Sequence, residues 1–96
     1  MSNSDQQPAQ SLGIYDIVAI MLDQIASVSW QRLGLQPDTM TGKLDTNLTE
    51  AKVAIDLVAH LAGILEHQLD EEDKRRIHGL VRDLRINFVQ KNTEVG

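Results

Sequence analysis

From Leu48 to Leu69 the residues Leu48, Ala51, Ile55, Val58, Ala62, Leu65 and Leu69 follow one another at steps of three and four without a break. Such spacing returns to one side of an α-helix and cannot alternate across the two faces of a strand. Ala54, Leu57, Leu61 and Ile64 form a second stripe beside the first. At about 100° per residue, the polar positions Lys52, Asp56, His60, Gly63 and His67 crowd into a narrow arc. The segment therefore predicts a helix buried on more than one side.

Composition supports a helical core. Tyr15, Trp30 and Phe88 are the only aromatic residues among 96, so the interior must be drawn from Leu, Ile, Val and Ala, a set that favours packed helices over sheets. A chain of 10.7 kDa is enough for one domain. With 42% hydrophobic and 24% charged residues, it is neither wholly disordered nor membrane-spanning. No stretch reaches the roughly 20 uninterrupted apolar residues of a membrane helix. Cysteine is absent, which excludes disulfides, thiolate metal sites and a cysteine nucleophile. The formal charge of −5 gives no global basic field to draw nucleic acid or acidic lipid.

The flanking segments predict two more helices. The first runs from about Leu12 to Leu33, with Ile14, Val18, Met21, Ile25 and Val28 as its apolar stripe and Ile17, Ile20 and Leu22 widening it. Gly34 suits a left-handed residue after the last turn, Leu35 an apolar cap contact and Pro37 a stop. From Leu35 to Thr46 the turn formers Pro37, Asp38, Thr41, Gly42 and Asp45 predict a loop longer than the usual helix connection. Its length suits either a second helix crossing the first or one reaching a second subunit. Asn47 with Glu50 reads as a capping box opening the second helix. Asp70 caps the third, with Glu71, Glu72 and Asp73 at the positive end of its dipole. Ile77, Leu80, Val81, Leu84 and Phe88 form the inward face of that helix, and it is expected to fray past Asn92. The polar start of the chain reads as a flexible tail. A secretory signal needs a cationic start before an apolar run; here the run begins at Ile14 and is broken by Asp16 and Asp23, so a cytoplasmic location is expected.

The expected architecture is thus all-α: a three-helix bundle with a long loop between its first and second helices, spanning residues 12–92 between a tail over 1–11 and a frayed end over 93–96. The first two helices carry a wider apolar band than one small core can bury. A domain of about 80 ordered residues is stable by only ~4 to 12 kcal/mol, and uncovered apolar surface is a liability on that scale. Two-fold homodimers are the commonest soluble assembly. A homodimer is therefore expected, with Leu48, Ala51, Ile55, Val58, Ala62, Leu65 and Trp30 at or near its interface. Trp30 suits either a core position or an interface anchor. Gly63 costs roughly 1 kcal/mol against alanine within a helix. It reads either as a point of close helix approach or as a tolerated flaw.

From Ile17 to Val89 the order of features resembles a small bacterial helical family known as domain of unknown function 1844. The resemblance is carried by Leu33-Gly34, by Pro37 and Thr41-Gly42 in the loop, and by Glu50-Ala51-Lys52 with Ile55-Asp56-Leu57 in the second helix. It closes with Leu69-Asp70-Glu71-Glu72, Leu84-Arg85 and Phe88-Val89. Members often carry lysine-threonine and glycine-asparagine before the leucine that precedes the third cap, where this chain has Leu65-Glu66-His67-Gln68-Leu69. The resemblance implies a helical fold and a shared partner, and no activity.

No residue set predicts catalysis, a cofactor or a metal. Asp56 and His60 have ligand spacing, but two ligands do not make a site, and His67 lies two turns further on. Asp70 to Asp73 is a capping run without the alternating ligands and turn glycine of a calcium loop. Ser27, Ser29, Thr41 and Thr49 lack the context of an activated nucleophile, and Gly42 alone is no phosphate cradle. The third helix holds six cations against one acid, Asp83, between Lys74 and Lys91, a local charge of +5 in an acidic chain. Lys74, Arg75, Arg82 and Arg85 are its candidate anion contacts. The expected function is a non-catalytic, self-associating interaction module. The alternative is a nucleic-acid or ribosome-associated accessory protein using that basic stripe, and a third reading is a subunit whose apolar band a different chain covers.

Overall fold

A computed structural model describes residues 11–95, so residues 1–10 of the expected tail and the final Gly96 lie outside them. The described chain is all-helical, with no strand among those residues: α1 (Ile14–Arg32), α2 (Leu48–Leu65) and α3 (Glu71–Val95), with a 3-10 turn at Glu66–Gln68 leading into α3.

Local chemistry sets these boundaries. At the start of α1 the Gly13 amide donates to Asp16 Oδ2 at 3.2 Å. At its end Gly34 takes φ +79, the Gly34 amide donates to the Gln31 carbonyl at 3.0 Å, and the Leu35 amide reaches the Trp30 carbonyl at 3.1 Å. Those two bonds and a left-handed glycine make a Schellman stop. Asn47 accepts from the Glu50 amide at 3.1 Å, and Asp70 from the Asp73 amide at 2.8 Å, as expected of the two caps. Only half of the predicted capping box forms. The Glu50 carboxylate turns instead to Arg32 Nε, and the Asn47 amide donates to the Arg32 carbonyl at 2.7 Å. A charged partner on another helix outcompetes the helix's own amide.

Two ends differ from expectation. The apolar pattern runs through Leu69, yet α2 stops at Leu65 and the chain tightens into the 3-10 turn before Asp70. At the far end α3 continues past Asn92 to Val95, helped by Lys91 beside Glu94 at 3.7 Å and by Thr93 donating to the Val89 carbonyl.

One aliphatic core joins the three helices. Leu22 and Leu33 from α1 and its cap, Val58 from α2 and Leu84 from α3 are at most 1% exposed. Around them α2 adds Ala51, Ile55, Leu61, Ala62 and Leu65, and α3 adds Ile77 and Val81. Each such leucine contributes about 1.5 to 3 kcal/mol through burial. Leu80 and Phe88 pack against this core only partly buried. In the middle position, α2 packs on both neighbours while α1 and α3 barely meet.

On α1 the buried side keeps only Val18 of the predicted stripe and Leu22 of the residues expected to widen it. Val18, Leu22, Ala26, Ser29 and Leu33 face inward, while Ile14 and Met21 are exposed and Ile25 and Val28 only half-buried. The helix is turned by roughly 80° from the expected face at 100° per residue. Ala26 and Ser29 are small enough for α2 to approach closely. The Ser29 hydroxyl is satisfied by the Ile25 carbonyl at 2.9 Å, which removes most of the cost of burying it.

Candidate functional site

The residues expected at an interface between copies lie inside the single chain. Ala51, Ile55, Val58, Ala62 and Leu65 are buried in the chain's own core, and Leu48 and Trp30 pack against it partly buried. The middle helix uses its widest band to hold α1 and α3, so a surface between copies has to come from other residues. Trp30 stands half-buried against that core. Gly63 is exposed, and a Cβ added there meets nothing within 4 Å. Among the described residues, close helix approach therefore does not account for it.

Uncovered aliphatic residues concentrate elsewhere. The first two turns of α1 expose Ile14, Ile17, Ile20 and Met21, and α2 exposes Val53, Leu57 and Ile64 along its outer flank. A groove of about 310 Å³ between α1 and α2 is lined by Ile25, Val28, Val53, Ala54 and Leu57, with Glu50 at its edge. A second groove, of about 260 Å³, lies between α2 and α3, with Ile55, Phe88 and Val89 as lining and Lys52, Asp56 and Arg85 beside them.

The basic stripe of α3 is exposed at Arg75, Arg82 and Arg85, with Lys74 half-buried. Lys74 Nζ is 3.5 Å from Glu71, and Arg82 meets only its neighbour Asp83, also at 3.5 Å. Among the described residues Arg75 and Arg85 form no ion pair. On α2 Lys52 pairs with Asp56 at 2.8 Å. No three His, Asp or Glu side chains among the described residues come together as a metal site would need.

A further polar cluster was hidden from sequence reasoning because its members lie far apart in the chain. Arg32, at the end of α1, meets Glu50 Oε1 at 2.6 Å and Asp38 Oδ2 at 3.2 Å. Asp38 also accepts from the Met40 and Thr41 amides at 2.7 and 3.2 Å, and its own amide donates to the Lys43 carbonyl at 2.8 Å. The loop from 33 to 47 is thereby folded on itself and tied to both helices. At the opposite end of α2, His78 Nε2 meets Glu66 Oε1 at 2.8 Å and fastens α3 to the turn before it.

The bonds from Met40 and Thr41, joined by the Arg32 guanidinium, hold the Asp38 carboxyl below its ordinary range. The His78 bond does the same for Glu66. A carboxyl with a depressed folded pKa adds stability that is full above its unfolded value, about pH 4, and is lost as pH falls through the lower folded value. The urea midpoint should therefore decline in acid below about pH 4, and Asp38→Asn with Glu66→Gln should flatten that decline. An unchanged slope would show that neither contact survives in solution.

These features define a small all-helical domain with one aliphatic core, two surface grooves and a polarised third helix. The chain belongs to the family described as a domain of unknown function, DUF1844, which matches residues 16–90. That span takes in α2, the loop and most of α1 and α3, and agrees with the resemblance read from Leu33-Gly34, Thr41-Gly42 and Leu84-Arg85. Neither the curated proteins nor the solved structures contain a significant match to it. No helix among the described residues is long and apolar enough to cross a membrane.

Proposed function

We propose that this protein is a non-catalytic helical module that associates with a second copy of itself through the uncovered start of α1. One observation carries this reading: Ile14, Ile17, Ile20 and Met21 stand 40 to 66% exposed within two turns of one helix. Scattered surface aliphatics need no explanation, but a grouped set on a marginally stable domain favours a covering partner. An acidic lipid surface suits it poorly, because α1 carries Asp16 and Asp23 and no cation before Arg32. In place of the deeply buried residues of α2, the contact would use α1 with Val53, Leu57 and Ile64 as adjoining apolar surface.

Light scattering over a range of concentrations should give twice the chain mass of 10.7 kDa. Ile17→Lys should return the mass to that of one chain with little change in the melting point, since Ile17 lies outside the core cluster. A single-chain mass at every concentration refutes the reading. Salt-sensitive retention of RNA by such a single chain, lost on Arg75→Ala with Arg85→Ala, would favour the nucleic-acid alternative.

A further inference from the structure

Two exposed edges of the chain carry opposite charge beside matching aliphatic residues. On α1, Asp16 and Asp23 lie seven residues apart, two turns along one side and about 10 Å at 1.5 Å per residue. Ile20 stands between them and Ile17 beside them, each at least 40% exposed. Among the described residues neither carboxylate enters an ion pair; Asp16 only accepts from the Gly13 amide.

On α3, Arg75 and Arg82 repeat the seven-residue spacing, Arg85 follows one turn on, and Ile86 and Val89 are exposed next to them. Val89 also borders the groove between α2 and α3, where Ile55 and Phe88 supply an apolar floor and Arg85 a cationic rim. One edge thus offers two aliphatics with two unpaired acids, and the other two aliphatics with three exposed arginines. Within one chain the two helices barely meet, so these edges have no opportunity to satisfy each other there.

We infer that α1 of one copy seats on the α3 edge of a second copy, Ile17 and Ile20 against Ile86, Val89 and the adjoining groove, with Asp16 and Asp23 paired to Arg82 and Arg85. The inference rests on the self-association reading and names the surface that α1 meets. In a two-fold dimer the contact occurs twice, once with each copy as the donor of α1. Complementary charge of this kind fixes register and excludes other partners more than it adds raw affinity. A nucleic acid is the poorer occupant of the arginine edge. Its exposed neighbours Ile86 and Val89 are aliphatic, the one aromatic nearby, Phe88, is partly buried against the core, and the chain as a whole carries −5.

Charge reversal in the full-length protein tests this directly. Asp16→Lys with Asp23→Lys, and separately Arg82→Glu with Arg85→Glu, should each weaken the dimer roughly tenfold or more at low salt, because like charges then face each other. Mixed together, the two variants should pair again: one contact of the mixed dimer is native and the other has its charges exchanged. Asp23→Lys alone leaves the Asp16 bond to Gly13 intact and serves if the double variant does not fold. Sedimentation at fixed concentration reads all of these states. Dimers that ignore the reversals, or variants that stay single when mixed, overturn the inference while leaving self-association standing. A native chain that is single throughout overturns both.

Discussion

Ala62→Glu is expected to unfold the domain and not merely to separate copies of it. Ala62 is 6% exposed in the middle of α2 and belongs to the core shared with α1 and α3. A carboxylate placed there has no cation within the core to pair with, and an uncompensated buried charge costs about 3 to 5 kcal/mol. Against a total of ~4 to 12 kcal/mol that removes from about a quarter of the stability to all of it. At roughly 4 to 8 °C per kcal/mol for a domain of this size, the melting point should fall by about 12 °C or more. The neighbouring residue supplies the contrast. Gly63 is exposed and a Cβ there meets open space, so Gly63→Ala should stabilise by roughly 0.5 to 1 kcal/mol through helix propensity alone. If Ala62→Glu melts like the native protein but loses its partner, Ala62 lies between copies and the assignment of α2 to the chain's own core is wrong.

What the sequence made legible was chemistry between residues close in the chain. Asn47 and Asp70 cap their helices because a side-chain oxygen three residues ahead of a free amide needs no tertiary help. Gly34 ends α1 because only glycine enters the left-handed region without penalty. The face α1 presents was not legible from apolar periodicity, since its inward side includes Ala26 and Ser29. Small and self-satisfied polar residues carry little hydropathy signal, yet they decide how near two helices can come. The same holds for Glu50, which belongs to a capping box by its spacing and to Arg32 by its surroundings. The basic stripe was visible as a run of charges. That Arg75 and Arg85 lack a carboxylate within the described chain depends on where α2 places Asp56 and where the turn places Glu66, and no local pattern encodes either.

The loop from 33 to 47 offers the second large effect, and it separates two costs that are usually confounded. Gly34 and Gly42 share nearly the same positive φ, +79 and +71, so replacing either by alanine forces an L-residue into the left-handed region at about 1 to 2 kcal/mol. Their surroundings differ. A Cβ at Gly42 meets nothing within 4 Å, whereas one at Gly34 runs into the Thr46 hydroxyl. Thr46 precedes Asn47, whose amide is anchored on the Arg32 carbonyl and whose side chain caps α2. Displacing Thr46 therefore loosens a cap worth about 1 kcal/mol, and with it the approach of Glu50 to Arg32. Gly34→Ala should accordingly lower stability by about 2 to 3 kcal/mol, against about 1 to 2 kcal/mol for Gly42→Ala. Adding Thr46→Gly to Gly34→Ala should recover the steric share and leave the backbone share, bringing the two urea midpoints together. Equal losses at the two glycines from the outset would mean that the Thr46 side chain moves aside freely, and that the stop at the end of α1 and the start of α2 are not mechanically joined.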